Sequence, residues 1–65
     1  MMRLIRLKEV MAMTGLARST VYKAIQDGAF PAPVPLGAKA VAWVEAEILE
    51  WIQARVSARD RLAAH

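Results

Sequence analysis

Cysteine is absent from the 65-residue sequence. That removes disulfides, thiolate metal clusters and thiol nucleophiles together. Histidine is nearly absent too. The single one, His65, is the last residue, where fraying is expected, so neither histidine-dependent catalysis nor a metal site is expected. Only three glycines occur, and no glycine-rich phosphate loop can be built from them. Glu47 and Glu50 fall on a solvated helix face rather than in a pocket, and Ser19 has no histidine within reach. No acid–base pair or activated nucleophile emerges. The reading is of a protein that is not an enzyme and needs no cofactor. Long hydrophobic runs are also missing: none approaches the roughly 20 residues of a membrane span. Arg3, Arg6 and Lys8 interrupt the apolar residues of the first segment, which does not resemble a signal peptide. A cytoplasmic location is expected.

What is present is a small, apolar, basic chain. At this length it forms one domain at most, and such chains bury only about 60% of their unfolded surface. A hydrophobic fraction of 57% still supports a compact helical core. The net charge is +3, unevenly placed. Residues 1–43 carry Arg3, Arg6, Lys8, Arg18, Lys23 and Lys39 against Glu9 and Asp27. Residues 44–65 carry Arg55, Arg59 and Arg61 against Glu45, Glu47, Glu50 and Asp60. All the excess positive charge lies in the N-terminal part, which fits a polyanionic partner there as well as it fits ordinary solubilising charge.

The stretch from Glu9 to Ile25 reads as two short helices with a corner at Gly15, where a left-handed backbone suits glycine. At 100° per residue, Ala17, Val21, Ala24 and Ile25 fall on one side of the second helix. Ser19, Lys23 and Gln26 lie opposite, flanked by Tyr22 and Thr20. This outer stripe carries hydroxyls, an amide, a phenol and an ammonium but no carboxylate. Such groups can meet phosphate oxygens and base edges in a major groove, as a DNA-recognition helix does. Ala17 stands where a capping serine or aspartate is usual, a cap that contributes about 1 kcal/mol. Gly28 marks the helix end.

Around this unit, Leu4-Ile5-Arg6-Leu7 reads as a short strand, and Lys8–Met13 as the first helix with Val10 and Met13 inward. Phe30-Pro31-Ala32-Pro33-Val34-Pro35 cannot be helical. Two apolar segments about Gly37-Ala38-Lys39 predict a hairpin, with Pro35 on an edge. Its tip residue, Lys39, suits either a DNA-contacting wing or protection of an exposed edge. From Val44 the period is helical, with Val44, Ile48, Leu49, Trp51, Ile52 and Val56 on one apolar face. Trp43 and Trp51 are expected to anchor this helix and the hairpin to the two-helix unit. The ordered core is expected over about residues 4–56. The tail, 57–65, extends the helix, frays or docks on a second subunit.

The segments Arg6-Leu7-Lys8-Glu9-Val10, Thr14-Gly15-Leu16-Ala17-Arg18-Ser19-Thr20-Val21-Tyr22, Gly28-Ala29-Phe30-Pro31 and Leu36-Gly37-Ala38-Lys39-Ala40-Val41-Ala42-Trp43, with the Glu45-to-Ile52 pattern, stand in an order that resembles the AlpA family of prophage regulatory proteins. The resemblance implies a mainly α fold with a small β-hairpin, a winged helix-turn-helix of the MerR and excisionase kind. It implies that Arg18, Ser19, Thr20, Tyr22 and Lys23 contact DNA from the recognition helix, and that Lys39 does so from the wing. Gln26 joins them from the outer stripe. Two residues depart from the family's pattern: Ala17 replaces the usual serine, and Met11 stands where many helix-turn-helix units carry alanine.

The leading expectation is a sequence-specific double-stranded DNA-binding regulator of a prophage or integrated element. An excisionase-like factor that bends DNA and directs an integrase would use the same fold. A protein-interaction module without DNA binding is the reading from a different class, and it leaves the carboxylate-free stripe unexplained. Partners implied besides DNA are a second copy, as a dimer or on repeats, and integrase or RNA polymerase.

Overall fold

The computed structural model describes residues 1–63, so His65 lies outside the described residues. The order is β1 (Leu4–Ile5), α1 (Leu7–Thr14), α2 (Arg18–Gln26), β2 (Val34–Pro35), β3 (Val41–Val44) and α3 (Glu45–Ala63). The fold is mainly helical, with a small antiparallel sheet compatible with the wing of a helix-turn-helix.

The corner between α1 and α2 follows from two neighbouring residues. Gly15 adopts φ +75°, and its N–H reaches the Met11 carbonyl at 2.8 Å, closing α1. The Thr14 hydroxyl donates to the Val10 carbonyl at 2.8 Å and accepts the Leu16 N–H at 3.3 Å, which carries the chain out of the helix. Met11, the departure noted above, is partly buried against the core. α2 ends in a paired cap at Gly28, φ +71°. The Ala29 N–H reaches Ala24 O at 2.8 Å and the Gly28 N–H reaches Ile25 O at 3.1 Å, satisfying carbonyls that the helix end leaves free.

The sheet has three strands in the order β1-β3-β2, so the expected hairpin is only part of it. β1 pairs with β3 (Leu4 with Val44, Ile5 with Trp43), and β2 pairs with β3's other edge (Val34 with Ala42, Pro35 with Val41). Pro35 thus sits on an edge strand, where a missing donor is tolerated. The Leu36 N–H bonds Ala40 O at 2.7 Å across the tip.

The buried cluster is Ile5, Val10, Val21, Phe30, Trp43 and Ile48. It draws one side chain from each element except β2, plus Phe30 from the connection. Trp43, 0% exposed, is its largest member. Both indoles donate to the proline-rich connection: Trp43 Nε1 to Pro31 O at 3.0 Å and Trp51 Nε1 to Ala29 O at 2.8 Å. Phe30 meets Trp51 edge-on, with centroids 4.8 Å apart. The connection cannot form a ladder, and the tryptophans supply donors to it instead.

Two expectations about burial are corrected. Ala17 is exposed: it is the residue before α2, in extended conformation (φ −73°, ψ 158°), so helical periodicity does not reach it. Leu49 is 51% exposed, because α3 rests on the sheet through Ile48, with Trp51 and Ile52 packed beside it, and turns Leu49 past that contact. α3 continues through Ala63, so residues 57–63 extend the helix. Among the described residues no helix is long and apolar enough to cross a membrane.

Candidate nucleic-acid interface

α2 buries Val21 and packs Ala24 and Ile25 against the core, which leaves Arg18, Ser19, Thr20, Tyr22, Lys23 and Gln26 exposed on its outer side. The structure divides these residues between two flanks. On one flank, Arg18 and Tyr22 share a shallow hollow with Lys39 and Val41 of the hairpin, and with Arg6, Leu7 and Lys8 at the start of α1. On the other, Ser19, Thr20 and Lys23 line a depression with Ala24, Asp27 and Ala29. Gln26 lines neither and lies exposed on the ridge between them.

Charge differs sharply between the flanks. No carboxylate lines the first hollow, and among the described residues Arg6, Lys8, Arg18 and Lys39 form no ion pair. On the second flank, Lys23 Nζ stands 3.7 Å from Asp27 Oδ2 one turn on, an exposed pair of little energetic weight that still lowers the local positive potential. Tyr22 has two roles. It is 41% exposed and lines the hollow, while its ring meets Trp43 edge-on with centroids 6.5 Å apart, so the outer side of α2 and the core share this side chain.

The α2 start is bare. Ala17 makes no side-chain cap, and the first turn holds no acidic residue. Its opening N–H groups, which no helical carbonyl can satisfy, remain open to an outside acceptor next to Ser19 and Thr20.

The hollow brings Arg6 and Lys8, which the outer stripe of α2 does not include, beside Arg18. Both stand at the start of a helix, where the backbone dipole favours carboxylates over cations. A cation in that position is electrostatically misplaced for folding, as is Arg18 at the start of α2.

The two helices about Gly15, beside a three-stranded antiparallel sheet, form a domain of the helix-turn-helix class with an exposed, carboxylate-free ridge on its second helix. Residues 3–56 match the family described as Prophage CP4-57 regulatory protein (AlpA), and the chain belongs to that family. Membership places it among regulatory proteins and not among enzymes. It is similar to the uncharacterized protein ORF88 of Enterobacteria phage P4, 46% identical over 59 residues that cover 91% of this chain and 67% of the relative. It is also similar to the DNA-binding transcriptional activator AlpA of Escherichia coli (strain K12), 42% identical over 59 residues that cover 82% of this chain and 84% of the relative.

Proposed function

We propose that the chain is a sequence-specific double-stranded DNA-binding transcriptional regulator of a prophage or integrated element, acting as a winged helix-turn-helix of the MerR and excisionase kind. α2 enters the major groove, and Lys39 at the hairpin tip meets the adjacent backbone or minor groove. The observation that carries this reading is the meeting of Arg18 and Tyr22 with Lys39 around one hollow free of carboxylates. Helix and wing then present one continuous surface of donors. The relative named as a DNA-binding transcriptional activator supports the same reading.

In this arrangement Arg18, Lys23 and Lys39 neutralise phosphates. Ser19, Thr20 and Gln26 offer short hydrogen-bonding groups to base edges or sugar–phosphate oxygens, and Tyr22 sets its hydroxyl at the groove edge. One such head covers little DNA, since single modules bury about 600–1,000 Å² of protein surface. Two copies on repeated half-sites are therefore part of the reading. In this reading regulation works through occupancy, which recruits or blocks polymerase.

The test is fluorescence anisotropy with a random-sequence duplex across a salt series, followed by selection from fragmented genomic DNA. Affinity should fall steeply with salt, by close to one unit of log–log slope per phosphate contact, and one short motif should be enriched. Salt-insensitive binding, or no enrichment, would overturn the reading and turn attention to a protein partner.

A further inference from the structure

We infer that Arg6 and Lys8 complete a seat for a backbone phosphodiester of the bound duplex, with Arg18 and Lys39 as its other two cations. This rests on the DNA-binding reading and extends it from two contacting elements to three. The function of the seat is positional: it fixes how far and at what angle α2 enters the groove, and it reads no base.

The argument starts from convergence. The four cations come from stretches distant in the chain: the residues opening α1, the first residue of α2 and the tip between β2 and β3. Folding brings them around one hollow. Mutual repulsion among four unpaired cations opposes that arrangement, and no carboxylate lines the hollow to offset it. The carboxylate closest in sequence, Glu9, is engaged elsewhere: Arg3 holds it at 3.2 Å and holds Glu45 at 2.6 Å. The acidic group that would have neutralised α1's opening cations is thus bound by a third arginine, and the hollow stays wholly positive.

The uncharged lining fits the same ligand. Leu7, Val41 and the Tyr22 ring supply a nonpolar floor with one hydroxyl, which suits a deoxyribose–phosphate segment lying along it. No carboxylate that would repel a phosphodiester lines the hollow, and α1's exposed start has only Glu9, held by Arg3. Arg6 serves the α1 start through its main chain, its carbonyl taking the Val10 N–H at 3.0 Å, while its guanidinium makes no cap. The side chain is therefore free for a ligand without loss to the helix.

The experiment compares wild type with Arg6→Gln/Lys8→Gln, titrating fluorescent duplexes over a salt series. One duplex carries the motif enriched from the genomic selection and the other is random. The expected result is a log–log salt slope shallower by about two, one per lost phosphate contact, with both duplexes weakened by the same factor. Arg55→Gln/Arg61→Gln removes the same net charge from α3 and should leave the slope near the wild-type value. Three outcomes would overturn the seat: a slope unchanged in Arg6→Gln/Lys8→Gln, an equal loss in the α3 variant, or weakening confined to the motif duplex. A site for a free anion would show itself if inorganic phosphate at matched ionic strength raised the thermal midpoint of wild type but not of the double variant while DNA slopes stayed equal. That too would overturn the seat. If the double variant fails to fold by circular dichroism, Lys8→Gln alone is read, with a slope loss of about one expected. Wild-type binding that ignores salt would instead remove the DNA reading itself, so the two failures are separable.

Discussion

α3 and the helix-turn-helix begin in opposite ways. α3 opens with Glu45 and Glu47 in its first turn and carries Arg61 in its last, the distribution that the helix dipole favours. α2 opens on Arg18 with no carboxylate in its first turn, and α1 opens on Arg6 and Lys8 with Glu9 as its one first-turn carboxylate, drawn off by Arg3; neither has a side-chain cap. The same short chain favours the start of one helix and leaves the starts of the other two poor in compensating charge. The contrast teaches where selection for folding stops. α3 carries the structure, through Ile48 in the core and an indole donated to the connection. The starts of α1 and α2 face a hollow lined by four cations and no carboxylate.

The largest expected effect tests whether these two regions share one core. Trp43→Ala removes the fully buried indole against which Tyr22 packs, and leaves Pro31 without its donor. A loss of about 3–5 kcal/mol is expected, a large share of what a small domain possesses. Thermal denaturation followed by circular dichroism should show the cooperative transition abolished or moved far down. A variant that lost only the helix-turn-helix signal and kept a folded α3 would break the comparison into two independent units.

A smaller effect sharpens it. Ala17→Asp installs the cap that α2 lacks at an exposed residue already in extended geometry. Stability should rise by about 1 kcal/mol, read from the urea midpoint. DNA affinity should fall at the same time, because a carboxylate now stands beside Arg18 where phosphate is to be met. If stability and affinity rose together, the bare helix start would have no functional meaning.

The smallest change is on the other side. Glu45→Gln removes the 2.6 Å pair with Arg3 and a favourable charge from the α3 start. The pair is partly solvated, so the loss should be about 0.3–1 kcal/mol in the urea midpoint. The motif-to-random affinity ratio is expected to stay at its wild-type value, since the substitution lies outside the hollow.

Much of this architecture was legible in local chemistry. Gly15 and Gly28 mark corners because left-handed backbone is cheap only there, and both adopt it. Prolines 31, 33 and 35 excluded helix between α2 and β3, and the closing helix announced itself by its period. What could not be read depended on distant partners. The strand at Leu4-Ile5 is readable, but nothing local says that it pairs with β3 to make a third strand, or that Leu7 already belongs to α1. The exposure of Leu49 depends on the angle at which α3 leaves the sheet, which no local period encodes. Arg6 and Lys8 belong with Arg18 and Lys39 only once the hairpin has folded back over α1. The outer stripe of α2 needed no such closure, and its five residues, Ser19, Thr20, Tyr22, Lys23 and Gln26, are exposed as the wheel placed them.

The two loops that flank β2 differ in how much change of length they can absorb. The connection before it is measured out by the indoles, which grip the Ala29 and Pro31 carbonyls from two different elements. Adding or deleting a residue between those two carbonyls would put them out of register with the two indoles. The tip after it is closed by a single backbone bond, from Leu36 to Ala40, and its Gly37, Ala38 and Lys39 are exposed. Insertions can enter that tip without disturbing the core, lengthening the arm that carries Lys39. The reach of that arm has room to vary at the tip, whereas the span from Ala29 to Pro31 is held to its length by the two indoles.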